Sequence, residues 1–495
     1  AYDALDRVTR VIAKNGEATV YEYDELGNRT AVKYANGITM SYEYDSLNRL
    51  IKEVTKDKNN NIVASYEYTL GKAGERLKIK ELDCTTIYEY DELYRLTKET
   101  ITKDNETSIT IYAYDAVGNR TIKNENGVIT KYEYNELNAI TKEINPKYTI
   151  KYEYDKNGNL ISQNGGEKNY TYAYSNENKL ERATISSGAD VTVESYKYDY
   201  EGNRIEKTVN ELETTKYVVD TNFALAQVIA ELNKDNSLKT YYTIGQELIS
   251  LEDKDGIGYY LYDGHGSVRA LTNKDGDITD SYRFDAFGNL IEKEGSTENN
   301  YLYVGEQYDS NTGFYYLRAR YMNPTTGTFI SMDSYSGSTY DPVSLHKYLY
   351  ANADPVNNTD PTGYFSLSEF SVSSSISGIL SSIQNASVMQ ILNFINIALT
   401  VYDTIRTAIT ALQNGESLMS VCSGIVRGLL TGFMLNYMCK IKIIGFVLAP
   451  ILGIMGGKAQ VDSIFEAIEN KDYDLAVVRT AQLFIMMFSL TQSCF

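Results

Sequence analysis

Few side chains in this 495-residue sequence are of a type and spacing that could do chemistry. The four cysteines, Cys84, Cys422, Cys439 and Cys494, are too few and too scattered for a disulfide framework or a CxxC zinc site. His265, in LYDGHGSVRALT, has no Cys or Glu cluster at ligand spacing, so it reads as a turn residue rather than a metal ligand. No Walker loop, nucleophile elbow or GxGxxG opening a helix is present, and neither a metal nor another cofactor is expected. What remains abundant is tyrosine and aspartate. Tyrosine occurs 45 times and tryptophan never, with all but four of the tyrosines before Tyr364. Such rings could be stacking platforms for sugars or bases, or a periodic structural residue, and their regular recurrence favours structure.

The elements that carry them follow from the spacing. Y-x-Y pairs begin at Tyr21, Tyr42, Tyr66, Tyr88, Tyr112, Tyr132, Tyr152, Tyr172 and Tyr196, and a degenerate copy, YRFDAFGNL, begins at Tyr282. The clearest units read YEYDELGNRT, YAYDAVGNRT and YKYDYEGNR. Side chains alternate faces along a strand, so both rings of a pair share one face. The following Asp can accept backbone N–H groups in a turn, and Gly-Asn supplies positive-φ positions. Short alternating stretches then lead to a second reversal, such as Asn36-Gly37 or Asn126-Gly127, the preferred two-residue hairpin. Each unit is thus about two strands of an antiparallel meander, and isolated hairpins are marginal, so the units must pair into one extended sheet over residues 1–300.

Charge points away from nucleic acid. The formal net charge is -19, and nearly all of it precedes residue 366, where phosphate binding would need clustered Lys and Arg. The acidity reads as solubility. No signal peptide is visible, and since the sequence opens inside a repeat, an N-terminal part of the natural protein is expected to be missing.

With these units the sequence resembles the RHS/YD-repeat family of bacterial polymorphic toxins, wall-associated contact-inhibition proteins and, more distantly, animal teneurins. The resemblance covers residues 1–364. It implies a mainly β fold, a spiral antiparallel β-sheet shell closed by a more strongly patterned segment. Residues 301–364 match the RHS-associated core pattern through Gly305, Asp309, Gly313, Tyr316, Arg318, Arg320, Tyr321 and Asp333, then through LHKYLYANADPVNNTDPTG with Asp360. In bacterial relatives two aspartates of this segment form an aspartyl-protease-like pair that cuts the chain after D-P-x-G. The corresponding residues are Asp333 and Asp360, with a self-cleavage site near Tyr364-Phe365. Such a pair works when two carboxylates are too close to ionise together, so one serves as acid and the other as base. Thr328 and Tyr364 depart from the family's Arg and Leu. The alternative reading is that both aspartates only cap turns, which Asp-Pro and Asp-x-x-Gly sequences ordinarily do.

After Gly363 the composition turns to Ile, Leu, Met, Ser and Ala. Helical spacing is expected in 386–412, 460–469 and 472–490, giving an all-α C-terminal region over 365–495. Residues 418–457 read either as a buried helical hairpin or as a membrane contact, and Arg427, Lys440, Lys442 and Pro450 interrupt any span. Cys494-Phe495 matches the start of a Hint self-splicing module in some family members. The resemblance implies a container that is secreted or at the bacterial cell surface. Its expected partners are its own C-terminal payload, an immunity protein and a cell-surface receptor or glycan, with no nucleic acid bound by the repeats. The other readings are a surface adhesin or carbohydrate-binding protein, and an enzyme housed in the tail, against which the lack of acid/base clusters there argues.

Overall fold

The structure, a computed structural model, describes residues 1–364 except 224 and 338–341, together with the backbone of the short strand Leu367–Ser368. The helices expected after residue 385, the 418–457 segment and Cys494 lie outside the described residues.

Residues 10–294 form one 27-stranded sheet in which every strand pairs antiparallel with its neighbours in sequence, from Arg10–Ile12 to Leu290–Glu294. The repeat unit explains why. Asp24 Oδ1 accepts the backbone N–H groups of Leu26 (2.9 Å) and Asn28 (2.8 Å), and Oδ2 accepts the Asn28 side-chain amide (2.8 Å). The left-handed position required three residues after the Asp is filled by Gly27 (φ 92°) or, one repeat on, by Asn48 (φ 61°). Pairing shifts by one residue between Glu22 and Tyr23, and again between Glu43 and Tyr44, so each unit carries a bulge just before its turn.

Both tyrosines of a pair face inward, with different tasks. The first ring is buried: Tyr21, Tyr112 and Tyr196 are 2–3% exposed. The second reaches back to a carbonyl of the preceding repeat, as in Tyr23 Oη to Val8 O (2.7 Å), Tyr44 to Arg29 O (2.9 Å) and Tyr134 to Arg120 O (2.8 Å). Five residues after the residue that opens each turn, an Asp in most repeats and Gly71, Asn135 or Ser175 in others, comes a further inward position. In some repeats it holds an apolar side chain, Leu96, Ile140, Leu160 or Leu180; in others an arginine, Arg29, Arg76, Arg120 or Arg204. The arginines reach distant parts of the chain: Arg29 pairs with Glu247 (2.6 Å), Arg76 donates to Val356 O (2.9 Å), and Arg120 to Thr325 O (2.5 Å).

The sheet is not closed into a barrel. It curls so that its last strands lie against its first through side chains, with Asn36 Nδ2 donating to Thr272 Oγ1 (2.9 Å), Lys58 Nζ to Asp275 O (3.0 Å) and Lys103 pairing with Glu292 (2.6 Å). Residues 301–363 fill the space that remains on the inner face. Their four-stranded sheet comprises Gln307–Asp309, Phe314–Leu317, Arg320–Asn323 and Thr328–Phe329. Backbone hydrogen bonds from Leu160 N to Ile330 O and from Val268 N to Leu302 O (both 2.9 Å) bind this segment to the large sheet. Tyr315 and Tyr350 are fully buried in the shared core, and the packing leaves small cavities, one of about 60 Å³ between Arg76, His265, Arg269 and Tyr303.

The turn chemistry makes a direct prediction. Asp115 accepts three hydrogen bonds, from Val117 N, Asn119 N and Asn119 Nδ2, whereas Asn135 does the equivalent backbone work in the next repeat. Asp115→Ala should cost about 1–2 kcal/mol in urea unfolding and Asp115→Asn under half of that. Equal losses for the two would show that an accepting oxygen is not what holds the turn.

Candidate functional site

Asp333 and Asp360 come together on one arginine. Asp360 follows the two-residue strand Asn358–Thr359, and its Oδ1 accepts Gly363 N (2.8 Å), Tyr364 N (3.1 Å) and the Thr362 hydroxyl (3.2 Å). Asp333 Oδ1 accepts Tyr335 N (2.8 Å), while its own N–H donates to Lys347 O (3.0 Å). Both aspartates therefore do cap turns, each with one oxygen. Their other oxygens converge on a single nitrogen, Arg320 Nη2, at 2.9 Å from Asp333 Oδ2 and 3.5 Å from Asp360 Oδ2.

Arg320 is held on every side. It opens the strand Arg320–Asn323, its guanidinium lies 3.6 Å from the centroid of the Phe329 ring, Nη1 donates to Lys347 O (3.1 Å) and Nε to Gly363 O. It was legible as a motif residue of R-A-R, but its role between the aspartates depends on a fold that brings positions 333 and 360 to the same strand. Burial pushes the Asp360 carboxyl up to about 6, with Arg320 opposing and the Asp333 charge adding to the rise. Burial also raises Asp333, again against Arg320. The arrangement is that of a buried carboxyl group, Asp360, and a half-buried one, Asp333, each with one oxygen turned toward a shared guanidinium, beside the backbone of residues 363–364.

His265 sits in the turn opened by Asp263, whose Oδ1 accepts its N–H (3.0 Å), and its ring lies between Arg76 Nη1 and Tyr303 Oη, 3.3 Å from each. Burial and the Arg76 charge push it down to about 3, so the ring is neutral and serves packing. Among the described residues no group of three or more His, Cys, Asp or Glu could hold a metal ion.

A second ionic centre fastens the segment to the sheet. Buried Arg204 pairs with Asp309 (2.5 Å) and donates to Gln307 Oε1 (2.7 Å), and Lys207 Nζ lies 2.9 Å from both Asp309 and Glu194.

The buried carboxyls make stability depend on pH with an uncommon sign. Burial raises Asp360 to about 6, Asp354 to about 7 and Glu99 to about 8. Each contributes stability that is fully present below its unfolded value near ~4 and lost as pH rises through the folded value. In turn carboxylates such as Asp24 and Asp45 burial acts to raise the carboxyl but the several hydrogen bonds each accepts together outweigh it and leave it lowered, so these groups act oppositely and lose their contribution below ~4. The melting temperature should therefore be higher at pH 5 than at pH 8.5, by roughly 5 °C. A higher value at pH 8.5 would mean these carboxyls are ionised in the fold at no cost.

A sequential antiparallel meander with bulged Asp turns, wrapped on a tyrosine-rich inserted segment, defines a YD-repeat sheet protein. The teneurin YD-shell family model matches residues 74–356, more than half of the chain, and an RHS-repeat model matches residues 2–39; the chain belongs to this RHS/YD-repeat family. It is similar to the tRNA3(Ser)-specific nuclease WapA of Bacillus spizizenii, 36% identical over 262 residues, and to the tRNA nuclease WapA of Bacillus subtilis strain 168, 35% identical over 263 residues. Each match covers 51% of this chain and 11% of the relative, so the matched part spans about a tenth of those proteins. A solved structure of TcdB2-TccC3 aligns with a TM-score of 0.41 at 17% identity, over 73% of this chain and 24% of that one.

Proposed function

We propose that this chain is the closing end of a toxin-delivery shell, secreted or at the bacterial cell surface, which encloses a C-terminal payload and separates it by one self-cleavage near Tyr364-Phe365. The observation that carries the reading is the convergence of the Asp333 and Asp360 carboxyls on Arg320 beside residues 363–364. The similarity to the WapA nucleases, proteins far longer than the matched region, supports a toxin-related role. The packed inner face of the described residues suits the closing end of a shell.

In the proposed cut, Asp333, the closer of the two to Arg320, stays ionised and takes a proton from water. The water oxygen bonds to the Tyr364 carbonyl carbon. Asp360, whose Oδ1 is engaged by three donors, carries its proton on Oδ2 and delivers it to the leaving Phe365 nitrogen as the C–N bond breaks. One water is consumed and the two carboxyls exchange roles. Intact-mass measurement of the purified full chain tests this: two species are expected, one ending at Tyr364. A single species at the mass of the whole chain after prolonged incubation at pH 5–6 would leave the shell a container without a cutter.

A further inference from the structure

The cut proposed above needs its two carboxyls to differ, one ionised and one protonated, and Arg320 by itself does little to separate them. Its Nη2 faces both, at 2.9 Å from Asp333 and 3.5 Å from Asp360, so its charge favours ionisation at either. A second cation stands on the Asp333 side. Lys347 lies in LHKYLY between two residues that bond to the large sheet, His346 through Nε2 at 2.8 Å from Asn119 Oδ1 and Tyr348 through its hydroxyl to Gly158 O (2.9 Å). Side chains alternate along an extended segment, which leaves Lys347 to the opposite face, where Asp333 lies. Its carbonyl oxygen accepts the Asp333 N–H (3.0 Å) and Arg320 Nη1 (3.1 Å), and its Nζ donates to Tyr335 O. Tyr335 is the residue whose own N–H Asp333 Oδ1 accepts (2.8 Å). The Asp333 turn is thus grasped at its start by the main chain of Lys347 and at its end by the ammonium.

The electrostatics of each carboxyl follow this placement. Burial raises Asp333, and the Arg320 charge, the Tyr335 N–H and the Lys347 charge oppose the rise. For Asp360 burial again leads, with Arg320, Thr362 and the Gly363 N–H opposing and the Asp333 charge adding. Among the described residues the charged and titratable groups that act on Asp333 are therefore Arg320, Lys347, Asp360 and the Tyr364 phenol, and Lys347 is the cation there that Asp360 does not share.

We infer that Lys347 is the positioning residue that makes Asp333 the base and Asp360 the acid, which rests on the self-cleavage reading and adds to it what divides the two roles. Without that charge the carboxyls compete more evenly for one proton. The experiment follows cutting of the full chain, pulse-labelled in cell-free synthesis and shifted to buffers from roughly pH 3.5 to 8, in the wild type and in Lys347→Arg, Lys347→Gln and Lys347→Met. The wild type should give a bell-shaped profile, its lower limb set by the base and its upper limb by the acid. A carboxyl that loses a nearby positive charge holds its proton to higher pH, so Lys347→Met and Lys347→Gln should move the lower limb up by ~0.5–1 unit and leave the upper limb in place. On the lower limb that is a rate ~3–10-fold below wild type. Lys347→Arg keeps the charge and should restore the profile. Lys347→Gln separates charge from hydrogen bonding, because its amide can still donate to Tyr335 O. All three variants keep the main-chain oxygen that holds Asp333 and Arg320, and circular dichroism should show unchanged folding. A wild type that stays whole at every pH would bring down the self-cleavage reading and the role of Lys347 together. If the wild type cuts, but Lys347→Met and Lys347→Gln slow it evenly at all pH, Lys347→Gln matches wild type, or Lys347→Arg fails to restore the lower limb, then Lys347 is only a structural clasp and the role given to it falls alone.

Discussion

A chain carrying Asp360→Asn should stay whole while folding normally. The amide oxygen of Asn can still accept the Gly363, Tyr364 and Thr362 donors now held by Oδ1, so the D-P-T-G turn survives. What it cannot do is carry a proton to a leaving nitrogen. Asp333→Asn should have the same effect for the complementary reason, since an amide takes no proton from water. The loss is expected to be total on the timescale of purification, a difference of at least ~10³ in rate, in line with removal of one member of a catalytic unit. The pH profile gives a second reading. With Asp360 acting as the acid and its value raised to about 6, the rate should fall about tenfold per unit above pH 6. Asp354→Asn is the control: its carboxyl is also buried and raised, to about 7, yet it bonds to Asn357 and not to Arg320. Should that variant stop the cut as well, burial of the segment rather than the Asp333–Asp360 pair would be what matters.

Arg204→Leu should be the most damaging single change outside that site, by about 3–5 kcal/mol. Leucine itself is acceptable to the backbone, because Leu160 and Leu180 hold the same position in their own repeats. The cost comes from what is abandoned. Asp309, 3% exposed, keeps only Lys207, Gln307 loses its donor, and the rings of Tyr316, Tyr217, Tyr196 and Tyr321 lose the guanidinium that lies 4.5–5.8 Å from their centroids. Adding Asp309→Asn to the variant should recover part of the loss, since the charge left behind is then gone. Equal stability of the wild type and the Leu variant in urea titration would show that this ion pair only balances its own desolvation.

Much of this fold was legible locally. The Asp that opens a turn, the glycine or asparagine at positive φ and the Y-x-Y pair act within a few residues of one another, so YEYDELGNRT specifies its bulged turn and both inward rings without help from the rest of the chain. Antiparallel pairing between neighbours follows, because each turn returns the chain beside the strand it has just left. The match of residues 301–363 to the core pattern likewise selected Asp333 and Asp360 and the Arg320 that joins them. What only the tertiary structure decided are relations across long separations in sequence. An alternation of Arg and Leu five residues after the residue that opens the turn looks conservative in the sequence, yet Arg29 finds Glu247, Arg76 finds Val356 and Arg204 finds Asp309 only because the sheet curls back on itself and admits the inserted segment. The same holds for Asp360, which caps its turn on either reading. Its raised carboxyl arises from burial, with the Asp333 charge adding to the rise and the shared Arg320 guanidinium opposing it, and those surroundings exist only once residues 320, 333 and 360 are folded against each other.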